Sequence, residues 1–202
     1  MDLQKKEFIV AITGASGSLY ALKLIAVLQE STIVSKIHLI ISNAAHYILR
    51  TEAEQAWISF QNETKSSNKI FQYSPNDFAA SIASGNSSAD AMIVVPCSMK
   101  TIGALSAGYT SNLILRAADV MLKENKKLIL VPRETPLNLI HLRNMLILKK
   151  AGAIILPAMP AFYFKPEKID DLIEFIVAKI LKQLLISHAI QKNWNPPPEH
   201  IK

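Results

Sequence analysis

The feature that most restricts the fold is the run Phe8 to Thr13, apolar on both faces, followed at once by Gly14-Ala15-Ser16-Gly17-Ser18 and then by helical spacing in Leu19, Leu22, Ile25, Ala26 and Leu28. A strand with no polar face has to be covered on both sides, which is the situation of a central strand in a parallel sheet. The pattern then recurs. Lys36 to Ser42, Ala91 to Val95, Lys127 to Val131 and Ala153 to Leu156 read as further strands, the second of these stopped by Pro96. Helices are predicted from about Ala44, over 112–125 capped by Ser111, over 136–150 opened by Pro136, and over 169–188. Asn62 to Asn68 is polar and reads as a loop. Strand–helix alternation of this kind predicts an α/β fold, a Rossmann-like (flavodoxin-like) doubly wound parallel sheet in a single domain over 1–190, with 191–202 as an extended Pro-rich tail.

Composition narrows the function classes. Half of the 202 residues are apolar and 19% are charged, which excludes disorder as the dominant state. One cysteine rules out an intramolecular disulfide framework and suits a reducing cytoplasm. No uncharged apolar run has the length of a membrane span, and no signal peptide is visible at the N-terminus. The net charge of +6 is diffuse, without aromatics interleaved among the cations, so nucleic acid is not the expected partner. His38, His46, His141, His188 and His200 have no metal-ligand spacing, and no metal is expected.

Ligands of a doubly wound sheet bind beyond the carboxyl ends of its strands, and the chemistry-bearing residues fall there. The small-residue turn Thr13 to Ser18 lets backbone approach an anion, with the free N–H groups of the next helix aimed at it. The second strand ends in Ser42-Asn43 where a dinucleotide site would carry a carboxylate, which favours a mononucleotide or flavin phosphate over NAD. Glu52, two turns into the following helix, can reach back to the same crevice, although a solvated carboxylate is the plainer reading. Ser98 and Thr101 open a helix, as anion ligands or as simple caps. Arg133 and Glu134, adjacent at a strand end, offer a phosphate clamp and a proton carrier together. Arg116 and Lys123, seven residues apart, share one helix face. Tyr163 lies in a Pro-bracketed aromatic run, and Lys179 lies on the last helix.

Taken in order, Gly14-Ala15-Ser16-Gly17, Pro96-Cys97-Ser98-Met99-Lys100-Thr101, Arg116-Ala117-Ala118-Asp119-Val120, Arg133-Glu134-Thr135-Pro136-Leu137 and Pro160-Ala161-Phe162-Tyr163 closely resemble the UbiX/Pad1 family of flavin prenyltransferases, over about residues 8–188. The resemblance implies a metal-independent enzyme that joins the dimethylallyl group of dimethylallyl monophosphate to N5 and C6 of reduced FMN. The prenylated flavin is made for a UbiD-type decarboxylase. It implies that Gly14, Ala15, Ser16, Ser42, Ser98, Met99, Lys100, Thr101 and Arg133 hold FMN. By the same resemblance Arg116, Lys123, Arg133, Glu134, Tyr163, Lys179 and Trp194 surround the prenyl substrate, and Ser16, Glu52 and Glu134 handle protons and contact N5. Lys179 stands where many relatives have Arg, which keeps the charge without the bidentate fork. Family members assemble as homododecamers with sites at subunit boundaries. Two other readings compete: a flavin-dependent cysteine decarboxylase of the same superfamily, whose P-A-S-A-N-T and P-A-M-N-x-x-M-W segments are absent here, and an FMN-binding protein without chemistry.

Overall fold

The structure, a computed structural model, describes residues 5–188 and Ile190. The described residues up to Ala158 form one compact unit and those from Met159 a second.

In the first unit six parallel strands form one sheet, in the order β3-β2-β1-β4-β5-β6. The strands are β1 (Lys6–Ile12), β2 (Val34–Ile41), β3 (Ile70–Tyr73), β4 (Ala91–Cys97), β5 (Lys127–Pro132) and β6 (Ile154–Ile155). The order reverses between β1 and β4, which is where a doubly wound sheet opens its crevice. Helices α1 (Ser18–Glu30), α2 (Asn43–Glu52), α3 (Glu54–Ser66), α4 (Met99–Ser106), α5 (Leu113–Lys123) and α6 (Leu139–Lys150) make the crossovers. All seven residues of β4 are buried, as are Phe8 to Ile12 of β1. Each fully buried Val, Leu or Ile contributes about 1.5–3 kcal/mol. Such a centre has no alternative register that keeps it dry.

Several sequence expectations shift. The strand expected to stop at Pro96 runs through it to Cys97, with a register irregularity after Val94, because the Pro96 carbonyl still takes ladder-like bonds from Thr13. The expected loop 62–68 begins as the last turns of α3, a polar helix that buries only Trp57 and Phe60 and so shows little apolar period. Strand β3 was not expected; it is a half-exposed edge of four residues. The caps also move. Asn112 rather than Ser111 caps α5, and α6 starts at Leu139 under an Asn138 cap, beyond Pro136.

Polar groups are buried on one face of the sheet. Nδ1 of His38, a residue only 2% exposed, lies 3.0 Å from the Tyr73 hydroxyl and its Nε2 3.2 Å from Glu7 Oε2. The Ser88 hydroxyl donates to the same Glu7 oxygen at 2.6 Å, which ties the segment leading into β4 to β1. That bond is the main reason the Glu7 carboxyl is held below its ordinary value. Burial depresses the His38 imidazole, and Glu7 only partly restores it.

In the second unit α7 (Ile169–Leu184) buries Ile173, Ile176, Val177, Ile180, Leu181 and Leu184 at helical spacing. Asp171 Oδ2 accepts from the Glu167 and Lys168 N–H groups at 2.8 and 3.1 Å, which fixes the helix start. No helix among the described residues is long and apolar enough to cross a membrane.

Depressed pKa values of His38 and Glu7 mean that the unfolded chain binds more protons than the folded one, so stability rises with pH. His38 loses stability as pH falls below the unfolded value of 6.5, and Glu7 as pH falls from its unfolded value of 4.5 through its lower folded one. Urea unfolding from pH 7.5 to 5 should therefore show falling stability with a shallower slope in His38→Gln. An unchanged slope would assign the titration to other groups.

Candidate active site

Thr13 joins the ends of β1 and β4. Its buried hydroxyl donates to the Pro96 carbonyl at 2.8 Å and accepts from Ser98 N–H at 2.8 Å. The two loops that leave these strands are thereby held side by side. Beyond them lies a cleft of about 400 Å³, a volume in the range of small-molecule sites. Thr13, Gly14, Ser42, Asn43 and Ala44 line one part of it, Ser98, Lys100, Thr101 and Ala104 another, and Pro75, Asn76, Tyr109, Ser111, Asn112, Ile114 and Leu115 the rest. Three helix N-termini meet there, each capped by a side chain. Ser42 accepts from Ala45 N–H at 3.1 Å, Ser98 from Thr101 N–H at 3.3 Å and Asn112 Oδ1 from Leu115 N–H at 2.9 Å. Their positive ends, the hydroxyls and the one charged lining residue, Lys100, suit a phosphate-bearing ligand.

The turn after β1 is engaged differently from the sequence expectation. Gly17 takes φ +104°, and Gly14 sits so close to α2 that a Cβ there would lie 2.5 Å from Ala44 Cβ. The N-terminus of α1 is not left open for an anion. Glu52, the last residue of α2, puts Oε2 2.9 Å from Gly17 N, 3.4 Å from Ser18 N and 3.2 Å from Ser18 Oγ. Burial raises the Glu52 carboxyl, but hydrogen bonds from the Ser16 side chain and from the Gly17 and Ser18 N–H groups outweigh it and hold the group below its ordinary value. A carboxylate thus takes the place that the sequence assigned to a phosphate.

Arg133 and Glu134 do not pair with each other. Arg133 Nε donates to the Ser16 carbonyl at 3.2 Å, while Glu134 Oε1 accepts from Thr135 N–H at 3.1 Å. Arg133, Ser16 and Glu52 are therefore gathered on one turn, and Glu134 stands exposed beside them in sequence. Ala15 is buried and Met99 packs on the core, so neither side chain lines the cleft. Cys97 is fully buried and its thiol is pushed far up by burial, which leaves it a structural residue.

Arg116 and Lys123 share a face of α5, as expected, but that face does not line this cleft. Arg116 bonds Asp119 and the Ala83 carbonyl at 3.0 Å each. Lys123 pairs with Glu124, and a Cβ on Gly85 would meet its Nζ at 2.8 Å. The reason is that α5 enters at the cleft with Asn112 and carries Lys123 three turns away. In the second unit Tyr163 and Lys179 approach the same ring. Tyr163 packs edge-on to Phe175 at 6.0 Å between centroids, and Lys179 Nζ lies 5.1 Å over it. Trp194 lies outside the described residues.

Sequence reasoning missed Pro75, Asn76, Tyr109, Asn112 and Leu115. For Asn112 the signal was present, an Asn directly before the apolar run Leu113-Ile114-Leu115. The others depend on where the crossovers fall.

The Flavoprotein family model matches residues 1–181. Flavin prenyltransferase UbiX of Methanocaldococcus jannaschii is 45% identical over 188 residues, covering 93% of this chain and 98% of that protein. The crystal structure of AnUbiX (PadA1) in complex with FMN and dimethylallyl pyrophosphate is 40% identical with a TM-score of 0.87, over 95% of this chain and 98% of that one. A dodecameric FMN-dependent UbiX-like decarboxylase from Escherichia coli O157:H7 is 41% identical with a TM-score of 0.87, over 94% and 99%. Sheet order, cleft and matched family define a flavoprotein. Within that class the chain belongs to the UbiX family of flavin prenyltransferases.

Gly14→Ala drives a methyl into Ala44 and should abolish FMN binding measured by flavin fluorescence. Gly103→Ala, whose Cβ would meet only Asn144 Nδ2 at 3.5 Å, should leave it intact. Equal binding by both variants would remove the cleft between Gly14 and α2 from the cofactor site.

Proposed function

We propose that the chain prenylates reduced FMN with dimethylallyl monophosphate, in the cytoplasm, and supplies the product to a UbiD-type decarboxylase. The observation that carries this reading is the assembly of Ser16, Glu52 and Arg133 on one turn beside a cleft that fits a flavin phosphate. Ser42, Ser98, Lys100, Thr101 and the N-termini of α2, α4 and α5 hold that phosphate, with Gly14 giving it room. Reduced FMN, once bound, supplies the nucleophilic N5 and C6.

The residues of the chain do the rest. Breaking the allylic C–O bond leaves its electron pair on the phosphate, so donors fixed around that group favour the transition state over the substrate. Arg133 is such a donor, and the family resemblance gives the same role to Lys179 and Tyr163. Glu52 fixes the Ser16 hydroxyl. Glu134, with one oxygen on Thr135 N–H and the other open, accepts the proton released on ring closure.

Self-association completes the site. Helix α6 leaves Leu139, Ile140, Leu142, Leu146 and Ile147 between 49% and 65% exposed and buries only Leu148. That is an interface helix, and the E. coli relative is a dodecamer. In such an assembly Arg116 and Lys123, absent from their own cleft, reach the phosphate at a neighbouring subunit's site.

Anaerobic incubation with FMN, reductant and dimethylallyl monophosphate should give a flavin heavier by one five-carbon unit on mass spectrometry. Glu134→Gln should slow its formation by about 10²–10⁴-fold. Lys123→Ala should also fail, yet oligomers co-assembled from the two variants should regain turnover that neither has alone. Unmodified flavin from the parent protein would overturn the reading. Mixtures as inactive as their parts would return Lys123 to a structural role.

A further inference from the structure

Tyr20 belongs to none of the matched motifs, yet it packs on the turn that Arg133 and Glu52 share. Its ring carbons Cδ2 and Cε2 both lie 2.9 Å from where a Cβ on Gly17 would be, so the ring covers the bare α-carbon of that glycine. The Tyr20 N–H closes the turn onto the Gly17 carbonyl at 3.1 Å. One residue earlier, the Ser16 carbonyl takes the Arg133 Nε bond. Arg133 is thereby anchored through Nε, and its two terminal nitrogens form no hydrogen bond among the described residues. The Tyr20 hydroxyl forms none either.

The electrostatics agree with that placement. Burial raises the phenol above its ordinary value, and the Arg133 charge pulls it only part of the way back. The phenol therefore keeps its proton at neutral pH. It is a neutral donor with no acceptor among the described residues.

We propose that Tyr20 is a further substrate-contacting residue, whose O–H and the Arg133 guanidinium form a paired donor set for the phosphate of the allylic substrate. This rests on the prenyltransferase reading above. The pairing has a chemical purpose. As the C–O bond breaks, its electron pair moves to the phosphate oxygen, and the charge gained there is larger than one guanidinium fork can match. A neutral donor adds a hydrogen bond without adding cation–cation repulsion beside Arg133. The absence of a side chain at Gly17 is what lets the ring lie against that turn.

The test is Tyr20→Phe, which keeps the ring over Gly17 and removes only the hydroxyl. In the full-length protein, kcat/KM for dimethylallyl monophosphate should fall by about 10–10²-fold, the loss expected for one hydrogen bond to a charged group. FMN affinity and the thermal unfolding midpoint should stay near parental values. Tyr20→Leu should lose FMN affinity as well, since the turn itself then loosens. Parental kcat/KM in Tyr20→Phe would overturn the proposal and leave the ring as packing. So would a loss confined to FMN affinity, which would put the hydroxyl on the flavin. The parent protein in the same assay separates the two levels, because an inactive parent overturns the prenyltransferase reading itself.

Discussion

The Thr13 hydroxyl is the bond on which the site depends. It is buried, and it both gives and takes, joining the Pro96 carbonyl to the Ser98 N–H across 83 and 85 residues of chain. Without it the loops after β1 and β4 would be joined at the point where the strand order reverses by the Thr13 N–H bond to the same carbonyl, at 3.2 Å, and would lose the tie to Ser98. The crevice of a doubly wound sheet is a topological opportunity, and here one side chain ties its two walls together. Everything beyond it follows in sequence. Ser98 is placed to cap α4, Gly14 is placed against α2, and Arg133 N–H meets the Cys97 carbonyl at 3.4 Å as β5 leaves the sheet.

Glu52 then divides the polar ground into two. A carboxylate on the α1 N-terminus neutralises the dipole there and holds the Ser16 turn rigid, at the cost of an anion site. In the proposed reading the phosphate falls to α2, α4 and α5, whose capped ends face the cleft. The cleft is basic and polar, while the turn beside it carries a carboxylate, a guanidinium and a phenol. This separation suits a flavin, which is anionic at its phosphate and reactive at its ring.

The sheet was legible because Phe8 to Ile12 and Ala91 to Val95 are apolar on both faces, and no other environment accepts such runs. Strand β3 and helix α3 were not, because a four-residue edge and a helix buried on two aromatics leave almost no period to read. At the site, Ser42, Ser98 and Thr101 were readable as residues that follow strands. The role of Glu52 was not: a carboxylate two turns from a strand end can face solvent or return to the turn, and only the break at Ala53 and the packing of α2 decide. Lys123 shows the opposite case. Helical spacing correctly put it on the face of Arg116, but spacing says nothing about whether that face lines the chain's own cleft. Tyr20 had no sequence signal, since a tyrosine early in an amphipathic helix reads as packing.

The central claim is that the cofactor phosphate lies at the N-termini of α2, α4 and α5 while Glu52 seals that of α1. A crystal structure of the FMN complex tests it directly. The account predicts phosphate oxygens within hydrogen-bond distance of Ser42, Ser98 or Thr101, with Glu52 still on Gly17 and Ser18. Phosphate on the Gly17 and Ser18 N–H groups, with Glu52 swung away, would contradict it.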